Sequence, residues 1–300
     1  MERNRYFREL YVALTDIGLK PEGGSEWRIG LESSFKKLKL SDDIILALKR
    51  EHFVPFFNSL LVHNMISVLL CKFLNAKFEP LNARGSVLFT LLGCVLDNML
   101  DNGTELQKKD ALHKLSRPYR DNYFTTLTPP LSDSCSDLMF AELSIFFDRL
   151  RKADMSRYEF ILDKINTSAD SEICTINGIC SEKNILDKSV LFTEISCEML
   201  FCNTKLDDDD RGLFNAYSYI LTLIDDLCDY YSDLDRGYSN LLNYMEGSQS
   251  DKIKKAVSLL NEKLEYFRNN TNTALYDVLK GIAGEWMLGC DELRGLIWQI

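Results

Sequence analysis

The distribution of proline restricts the fold more than any other feature of this sequence. All six prolines lie at or before Pro130, and the 170 residues that follow contain none. Proline disrupts helix interiors, and this part of the chain repeats its apolar residues with a period near 3.6. No segment alternates apolar and polar residues between turn signals as a strand does. The sequence therefore predicts an all-α protein, with residues 1–300 forming a single helical domain.

The same periodicity predicts where the individual helices lie. One helix begins at Ser132 or Asp133, and the others are predicted over the segments 53–75, 83–101, 104–115, 184–203, 208–232, 250–268 and 272–298. Breaks are predicted near Pro80, Pro118 and Gly247, and over residues 128–130, 167–170 and 177–181. The acidic run 207–210 is interpreted as a helix start, where carboxylates complement the helix dipole, rather than as a metal site.

Composition and charge argue against several classes of function. The formal net charge is −10, whereas nucleic-acid binding needs a basic face. The nine cysteines form no C-x-x-C pair and only three histidines are present, so a zinc site has no framework. The dispersed cysteines fit a reducing compartment, no signal peptide is recognisable, and the most apolar stretch, 87–96, is about half as long as a membrane span. We therefore expect a cytoplasmic protein without a membrane span or a nucleic-acid partner; a homodimer stays open.

Two acidic motifs interrupt strongly apolar helical segments. In SVLFTLLGCVLDNMLDNG, Asp97 and Asp101 are four residues apart; in YSYILTLIDDLCDYYSDLDRGYSNLL, Asp225, Asp229 and Asp233 follow one another at intervals of four. This spacing places carboxylates on one helical face, about 6 Å apart along the axis. Like charges this close repel, and ionised groups are costly to bury unpaired. A bound cation would remove both penalties.

The donor atoms of these motifs indicate which cation. Carboxylate oxygens without histidine or cysteine favour magnesium or manganese over zinc. Magnesium usually bridges a few carboxylates to substrate phosphates, so two facing aspartate-bearing helices could hold magnesium around a diphosphate. Such a site would stabilise the charge that develops as the diphosphate leaves. A single D-x-x-x-D motif is more often a solvated helix face, but two motifs in apolar helices favour the metal site.

At these residues the sequence resembles the class I isoprenoid synthases, and most closely the class IB terpene synthases related to bacterial tetraprenyl-β-curcumene synthase. The first motif of that family, approximately L-D-N-L-C-D, is similar to LDNMLD at residues 96–101. The second, approximately D-Y-F-I-D followed by acidic residues, arginine, glycine and asparagine, is similar to DYYSDLDRGYSN at residues 229–240. The likeness covers residues 85–245 and hardly includes the first 80.

The resemblance implies a helical bundle around a central cavity and a magnesium-dependent terpene synthase. Such an enzyme ionises a linear prenyl diphosphate, releases diphosphate, and cyclises the carbocation or eliminates a proton. The implied metal is a cluster of up to three magnesium ions, which manganese can replace. The expected ligands, with Asp97 and Asp229 facing each other across the cavity, are Asp97, Asp101, Asp225, Asp229 and Asp233, and all but Asp225 are expected to be catalytic. Arg236, directly after the second motif, is the expected diphosphate-binding cation.

A carbocation also needs a cavity that excludes water and aromatic faces that stabilise moving positive charge. Phe89 lies two helical turns before Asp97, and Tyr219 lies ten residues before Asp229. Together with candidates on the segment LFTEISCEMLF and near the C-terminus, the expected cavity residues are Phe89, Phe192, Glu194, Tyr219 and Trp286. No histidine base is indicated, so the released diphosphate is expected to accept the proton.

Two other classes of function stay open. Asp225, Asp226 and Asp229 also resemble the second motif of chain-elongating prenyltransferases, but the basic G-K-x-x-R segment of those enzymes has no convincing match, and NGTELQKKD follows Asp101. Condensing enzymes of the squalene or phytoene type also use D-x-x-x-D pairs. The remaining alternative is a catalytically silent helical partner protein, which has no reason to retain costly carboxylates.

Overall fold

The fold is described from a computed structural model of the 300-residue chain. The residues it describes are 40–51, 70, 73, 74, 76, 79–125, 132–271, 273, 275–277, 279 and 280. Within these residues all regular structure is helical and no strand occurs, which confirms the predicted all-α class. The helices are α1 Asp42–Arg50, α2 Pro80–Asn102, α3 Glu105–Leu115, α4 Arg117–Thr125, α5 Cys135–Ala153, α6 Met155–Ile176, α7 Glu182–Leu200, α8 Asp208–Arg236 and α9 Gln249–Asn270, with a 3-10 turn at Leu241–Tyr244.

Most predicted helix boundaries agree with the structure to within a few residues. Pro80 occupies the first position of α2, and Pro118 lies in the first turn of α4, where a missing N–H does no harm. Asp207 caps α8 in a capping box: its carboxylate accepts the backbone N–H of Asp210, and the Asp210 carboxylate accepts the backbone N–H of Asp207. This arrangement confirms the acidic run as a helix start. The predicted helix 272–298, most of 53–75, the break at 128–130 and Trp286 lie outside the described residues.

Two local predictions are wrong. The break predicted over 167–170 does not exist, because α6 continues from Met155 to Ile176. A polar residue in this segment bonds to the neighbouring helix: the Ser168 hydroxyl donates to the carbonyl of Lys188 on α7. Helix α5 is capped by Ser134 rather than by Ser132 or Asp133, and its hydroxyl accepts the N–H of Asp137 at 3.2 Å.

The chain divides into two compact units. The N-terminal unit contains the described residues within 40–166 together with 195–205. The C-terminal unit contains the described residues within 167–194 and 206–280. Helices α6 and α7 each contribute residues to both units. The single domain over 1–300 stays a prediction.

In the N-terminal unit α2 packs against α3 and α5, while α1 and α4 also contact α5. A buried group of three hydroxyls joins α2 to the last turns of α7. The Ser196 hydroxyl lies 2.7 Å from that of Ser86 and 3.0 Å from that of Thr90. Gly85 lets α2 approach α5 closely, because a Cβ at this position would lie 2.6 Å from the ring of Phe146.

Helix α2 is long and apolar enough to cross a membrane by length and composition alone. It has 23 residues, and 67% of its most apolar window is buried inside the protein. Burial of this kind is what the central helix of a packed core shows. The expected absence of a membrane span stays a prediction.

A buried ion-pair network anchors α3, the helix that follows the first acidic motif. The Lys114 ammonium lies 2.5 Å from Asp110 and 3.1 Å from Asp137, and only 2% of its side chain is exposed. The Asp137 carboxylate also accepts hydrogen bonds from the hydroxyls of Ser132 and Tyr119. Desolvation acts to raise the pKa of Asp137, but the bond from Ser132 and the charge of Lys114 outweigh it and lower that pKa.

Helix α8 forms the centre of the C-terminal unit and carries the second acidic motif. It packs along α9 and against the 3-10 turn, and Tyr217, Ile220 and Ile224 are among its buried residues. It ends at Gly237, whose φ of 72° is the left-handed conformation that only glycine adopts readily. The acids of the second motif therefore occupy the final turns of this helix.

Candidate functional site

One line of residues on α8 connects a cleft to the second acidic motif. At 100° per residue, Asn215, Tyr219, Asp226, Asp229 and Asp233 fall within an arc of about 80° on the helix surface. The 18 positions from the first to the last of them extend about 27 Å along the axis at 1.5 Å per residue. These five polar side chains, which have different interaction partners, thus share one face of α8.

The cleft lies between α7 and the N-terminal half of α8. Its volume is about 360 Å³, and it is lined by Glu182, Lys183, Leu186, Asp187, Val190, Leu191, Glu194, Asn215 and Tyr219. Only 8% of Glu194 is exposed, and its carboxylate accepts a hydrogen bond of 2.6 Å from the amide of Asn215. Two of the predicted cavity residues, Glu194 and Tyr219, are therefore brought together.

The phenol of Tyr219 remains protonated in this cleft. Desolvation raises its pKa, and the negative charges of Glu194, Glu182 and Asp187 raise it further. The Lys263 ammonium lies 4.9 Å from the centroid of the Tyr219 ring. One face of this ring is thus already in contact with a positive charge, which makes that face a poor stabiliser of a second cation.

The carboxylates of the second motif interact with one another. The side chains of Asp225 and Asp229 reach solvent, but protein surrounds most of the Asp225 carboxylate. Desolvation, and then repulsion by Asp229 and Asp233, raise the pKa of Asp225 to about 6, although Lys188 acts in the opposite direction. The negative charge at this end of α8 therefore exceeds what Lys188 neutralises.

Asn240 holds the last two turns of α8 in place. It is fully buried, and its amide donates to the backbone carbonyl of Asp226 at 2.8 Å and to the Asp233 carboxylate at 2.9 Å. Its oxygen accepts the N–H of Leu242, which caps the 3-10 turn. We call this arrangement the Asn240 brace. It fixes the orientation of Asp233 without adding charge.

Asp226, which lies on the same face of α8, also contacts the loop that follows the helix. Its carboxylate accepts the backbone N–H of Leu241 at 3.1 Å. Desolvation raises the pKa of Asp226 to about 7, and this hydrogen bond partly offsets the increase. The contact gives Asp226 a structural task in the loop that follows α8.

The first motif lies in the N-terminal unit, at the C-terminal end of α2. Asp97 and Asp101 are both exposed, and α2 ends one residue after Asp101, at Asn102. A carboxylate in the last turn of a helix opposes the helix dipole, which costs about 0.3–1 kcal/mol at exposed sites. Asp101 on α2 and Asp233 on α8 share this unfavourable placement.

The remaining predicted residues have separate environments. Phe89 on α2 is buried, and Phe192 on α7 is half-buried but does not line the cleft. Arg236 is the exposed last residue of α8, and its guanidinium lies 5.9 Å from the Tyr238 ring centroid. Sequence reasoning missed Asn215, although its spacing of four residues before Tyr219 is a visible helical signal.

The acidic rows do not form a closed metal cage. Among the described residues, no three histidine, cysteine, aspartate or glutamate side chains are grouped so that they could hold an ion by themselves. The available donors are carboxylate oxygens, which suit magnesium, and magnesium is commonly held by one or two carboxylates together with phosphate oxygens. The donors of the second motif therefore fit an ion that is shared with an oxygen-rich anionic ligand.

No protein-family model matches the chain, and no curated protein is significantly similar to it in sequence. Among solved structures, a geranyltransferase from Legionella pneumophila is similar with a TM-score of 0.44 and 10% sequence identity. The similarity covers 94% of this chain and 95% of the geranyltransferase. At this level neither a family nor an activity follows for this chain.

Proposed function

We propose that this protein is a magnesium-dependent terpene synthase that ionises a linear prenyl diphosphate. The proposal rests on one face of α8. This face runs from the cleft, which has both apolar and polar lining residues, to a row of carboxylates that repel one another. Acids that repel one another and oppose the helix dipole lower stability, so their placement favours a functional reason. A substrate with an anionic head and an apolar tail matches the two ends of this face.

The acidic end is the proposed metal-binding region. Magnesium, when bound, would supply positive charge that stabilises the departing diphosphate. The residues proposed to hold it are Asp97, Asp101, Asp225, Asp229 and Asp233, and manganese is the proposed substitute. The convergence of both motifs on one cluster stays a prediction. Arg236, one turn beyond Asp233, is the proposed side chain that binds the diphosphate oxygens.

The cleft is the proposed place for part of the hydrocarbon chain. Leu186, Val190 and Leu191 give it an apolar wall, which excludes water from a reactive carbocation. We also propose a cytoplasmic location, because the dispersed free thiols suit a reducing compartment.

The contact of Asp226 supports terpene synthesis over chain elongation. The chain-elongating interpretation needs Asp225, Asp226 and Asp229 as a ligand set, but Asp226 accepts the N–H of Leu241. In the alternative pair, Asp229 is exposed and the brace orients the Asp233 carboxylate. We therefore place Asp229 and Asp233 in the reaction and leave Asp226 out of it.

The test is magnesium-dependent release of diphosphate. The full chain is incubated with geranyl, farnesyl or geranylgeranyl diphosphate, and released diphosphate is measured together with products by gas chromatography–mass spectrometry. We expect release with at least one substrate, its loss with a chelator, and hydrocarbon products. Release that requires added isopentenyl diphosphate would instead establish a prenyltransferase. Absence of release with every substrate, in magnesium and in manganese, would overturn the proposal.

A further inference from the structure

Glu194 is the buried one of the three acids that line the cleft. It is almost fully buried, the Asn215 amide holds its orientation, and Leu186, Val190 and Leu191 line the same cleft. A carboxylate beside apolar groups is costly to bury unless hydrogen bonds compensate it. The expected role of the cavity, to surround a carbocation, does not by itself need such a group.

The position of Glu194 along α8 adds a second constraint. Its partner Asn215 precedes Asp225 by 10 residues and Asp229 by 14, which corresponds to about 15 and 21 Å along the helix axis. An extended fifteen-carbon prenyl chain is roughly 15 Å long, since each carbon–carbon bond of about 1.5 Å advances it by a little over one ångström. A substrate whose diphosphate lies at the acidic end would therefore bring the far end of its chain to Glu194.

We propose that Glu194 accepts the proton that ends the reaction, in place of the released diphosphate. This inference rests on the proposed terpene synthase function and adds a named base to it. A C–H bond of a terminal methyl group next to the cationic carbon breaks, and its electron pair forms the new C=C bond. The proton passes to a carboxylate oxygen of Glu194, so the positive charge of the carbocation is neutralised. The protonated Glu194 then returns the proton to water when the product leaves.

Separation from the leaving group is the physical reason for a local base. Diphosphate held at the acidic end of α8 lies too far from the distal carbons of a long chain to take up their protons. A general base has to be within hydrogen-bond reach of the proton that it removes, directly or through one water. Glu194 lines the cleft proposed for the hydrocarbon chain and would be the base near its distal end, and Asn215 is the positioning residue that orients its carboxylate.

The test compares products from substrates of different length in wild type and Glu194→Gln. Glutamine keeps the size of the side chain and an oxygen for the Asn215 amide, but it does not accept the proton. With farnesyl and geranylgeranyl diphosphate we expect diphosphate release to continue while the ratio of hydrocarbon to alcohol falls about 100-fold, the lower end of what a positioned base contributes. With the shorter geranyl diphosphate, whose tail does not reach Glu194, we expect no change in that ratio.

The matched control is Glu159→Gln, because Glu159 is an exposed glutamate on α6 that does not line the cleft. It should leave the product ratio unchanged for every substrate. Glu194→Asp retains a shortened carboxylate and should restore part of the hydrocarbon. An unchanged ratio in a folded Glu194→Gln enzyme, or an equal change in Glu159→Gln, would overturn the inference.

A second measurement needs no variant and covers the case in which Glu194→Gln does not fold. Wild-type protein converts farnesyl diphosphate that carries deuterium in both terminal methyl groups. We expect the hydrocarbon to lose one deuterium, because Glu194 acts at that end of the chain. Complete retention of the label would refute the assignment while leaving the proposed synthase intact. Failure of wild-type protein to release diphosphate would instead count against the proposed function itself.

Discussion

The two acidic motifs end their helices with different support. At the end of α8, a buried amide bonds Asp233 to the 3-10 turn and ties that turn to the carbonyl of Asp226. At the end of α2, Asp101 is exposed, and the neighbouring amide pair, Asn102 to Asn98, is exposed as well. The fold thus fixes Asp233 of the second motif in advance of any ligand, whereas the first motif ends on exposed side chains.

The comparison shows which interactions hold each motif, or the helix next to it, in place before a ligand binds. A catalytic group held in place before binding loses less freedom when the reactive complex forms. In the C-terminal unit the brace supplies this through a neutral amide that bonds to the Asp233 carboxylate. In the N-terminal unit the helix that follows the first motif is instead anchored by charges, those of Lys114, Asp110 and Asp137.

The largest expected effect is on the rate of diphosphate release when aspartates of the two motifs are replaced. These variants test whether both motifs contribute equally to the reaction. We expect Asp97→Asn and Asp229→Asn each to lower the rate of diphosphate release about 100- to 1000-fold, because the charge that holds magnesium is lost. Asp233→Asn should behave like these two variants, and Asp101→Asn should have a smaller effect.

The control is Asp209→Asn, which changes an exposed acid in the first turn of α8. Its rate should stay close to that of wild type, and melting temperatures should show that every variant is folded. If Asp226→Asn is inactive while Asp233→Asn is fully active, the second motif is of the chain-elongating type. Full activity of Asp97→Asn would remove the first motif from the site.

The charged anchor of α3 should be the most sensitive structural feature. Replacing Lys114 with methionine leaves the Asp137 carboxylate buried without its cation, and we expect the free energy of unfolding to fall by on the order of 3 kcal/mol. The control is Lys152→Met, which also removes a lysine four residues after an aspartate, Asp148, but this lysine is exposed and Arg151 remains beside the carboxylate. That change should lower the free energy of unfolding by clearly less than Lys114→Met does. Urea unfolding followed by circular dichroism measures both.

Acid should act through the same anchor. Because the pKa of Asp137 is lowered in the folded state, its contribution is complete above the pKa of an unfolded aspartate, about 3.9. It is lost as the pH falls through the lower, folded value. Below a pH of about 4, we expect the free energy of unfolding to fall less steeply with decreasing pH in Asp137→Asn than in wild type. An identical acid profile in wild type and variant would contradict this role.

The brace should have a smaller effect, and one that appears in metal binding. Asn240→Leu removes the hydrogen bond to the Asp233 carboxylate, and bonds to charged groups contribute about 1.5–3 kcal/mol. We expect manganese binding in the presence of diphosphate, followed by electron paramagnetic resonance, to weaken by about 10-fold or more. Asn102→Leu, the corresponding amide at the end of α2, should change manganese affinity little. Equal effects would mean that the two helix ends are supported alike.

The smallest expected effects are at the helix starts next to the motifs. Thr104 caps α3, directly after the first motif, and Asp207 caps α8; both form capping boxes. We expect Thr104→Ala and Asp207→Ala each to lower the free energy of unfolding by about 1 kcal/mol. The rate of diphosphate release should stay near that of wild type. A large loss of activity in Asp207→Ala alone would show that the order of α8 depends on its start.

Periodicity predicted most helices because burial on one side of a helix leaves a local pattern in the sequence. It failed at 167–170, where Ser168 finds its acceptor on Lys188, a contact that no local pattern records. The Asn240 brace was missed for a similar reason: Asn240 and Asp233 are seven residues apart and meet only because Gly237 reverses the chain. The acids themselves were recognisable because their spacing repeats the helical period.

The close contact at Gly85 affects the first motif because Gly85 and Asp97 lie on the same helix, α2. Asp97 lies 12 residues further along the same helix, about 18 Å away. A tilt of about 5° forced by a methyl group against Phe146 would move that carboxylate by roughly 1.5 Å over this arm. Displacements of about 1 Å are enough to reduce catalysis about 100-fold. A glycine far from the acids can therefore control their alignment without touching a ligand.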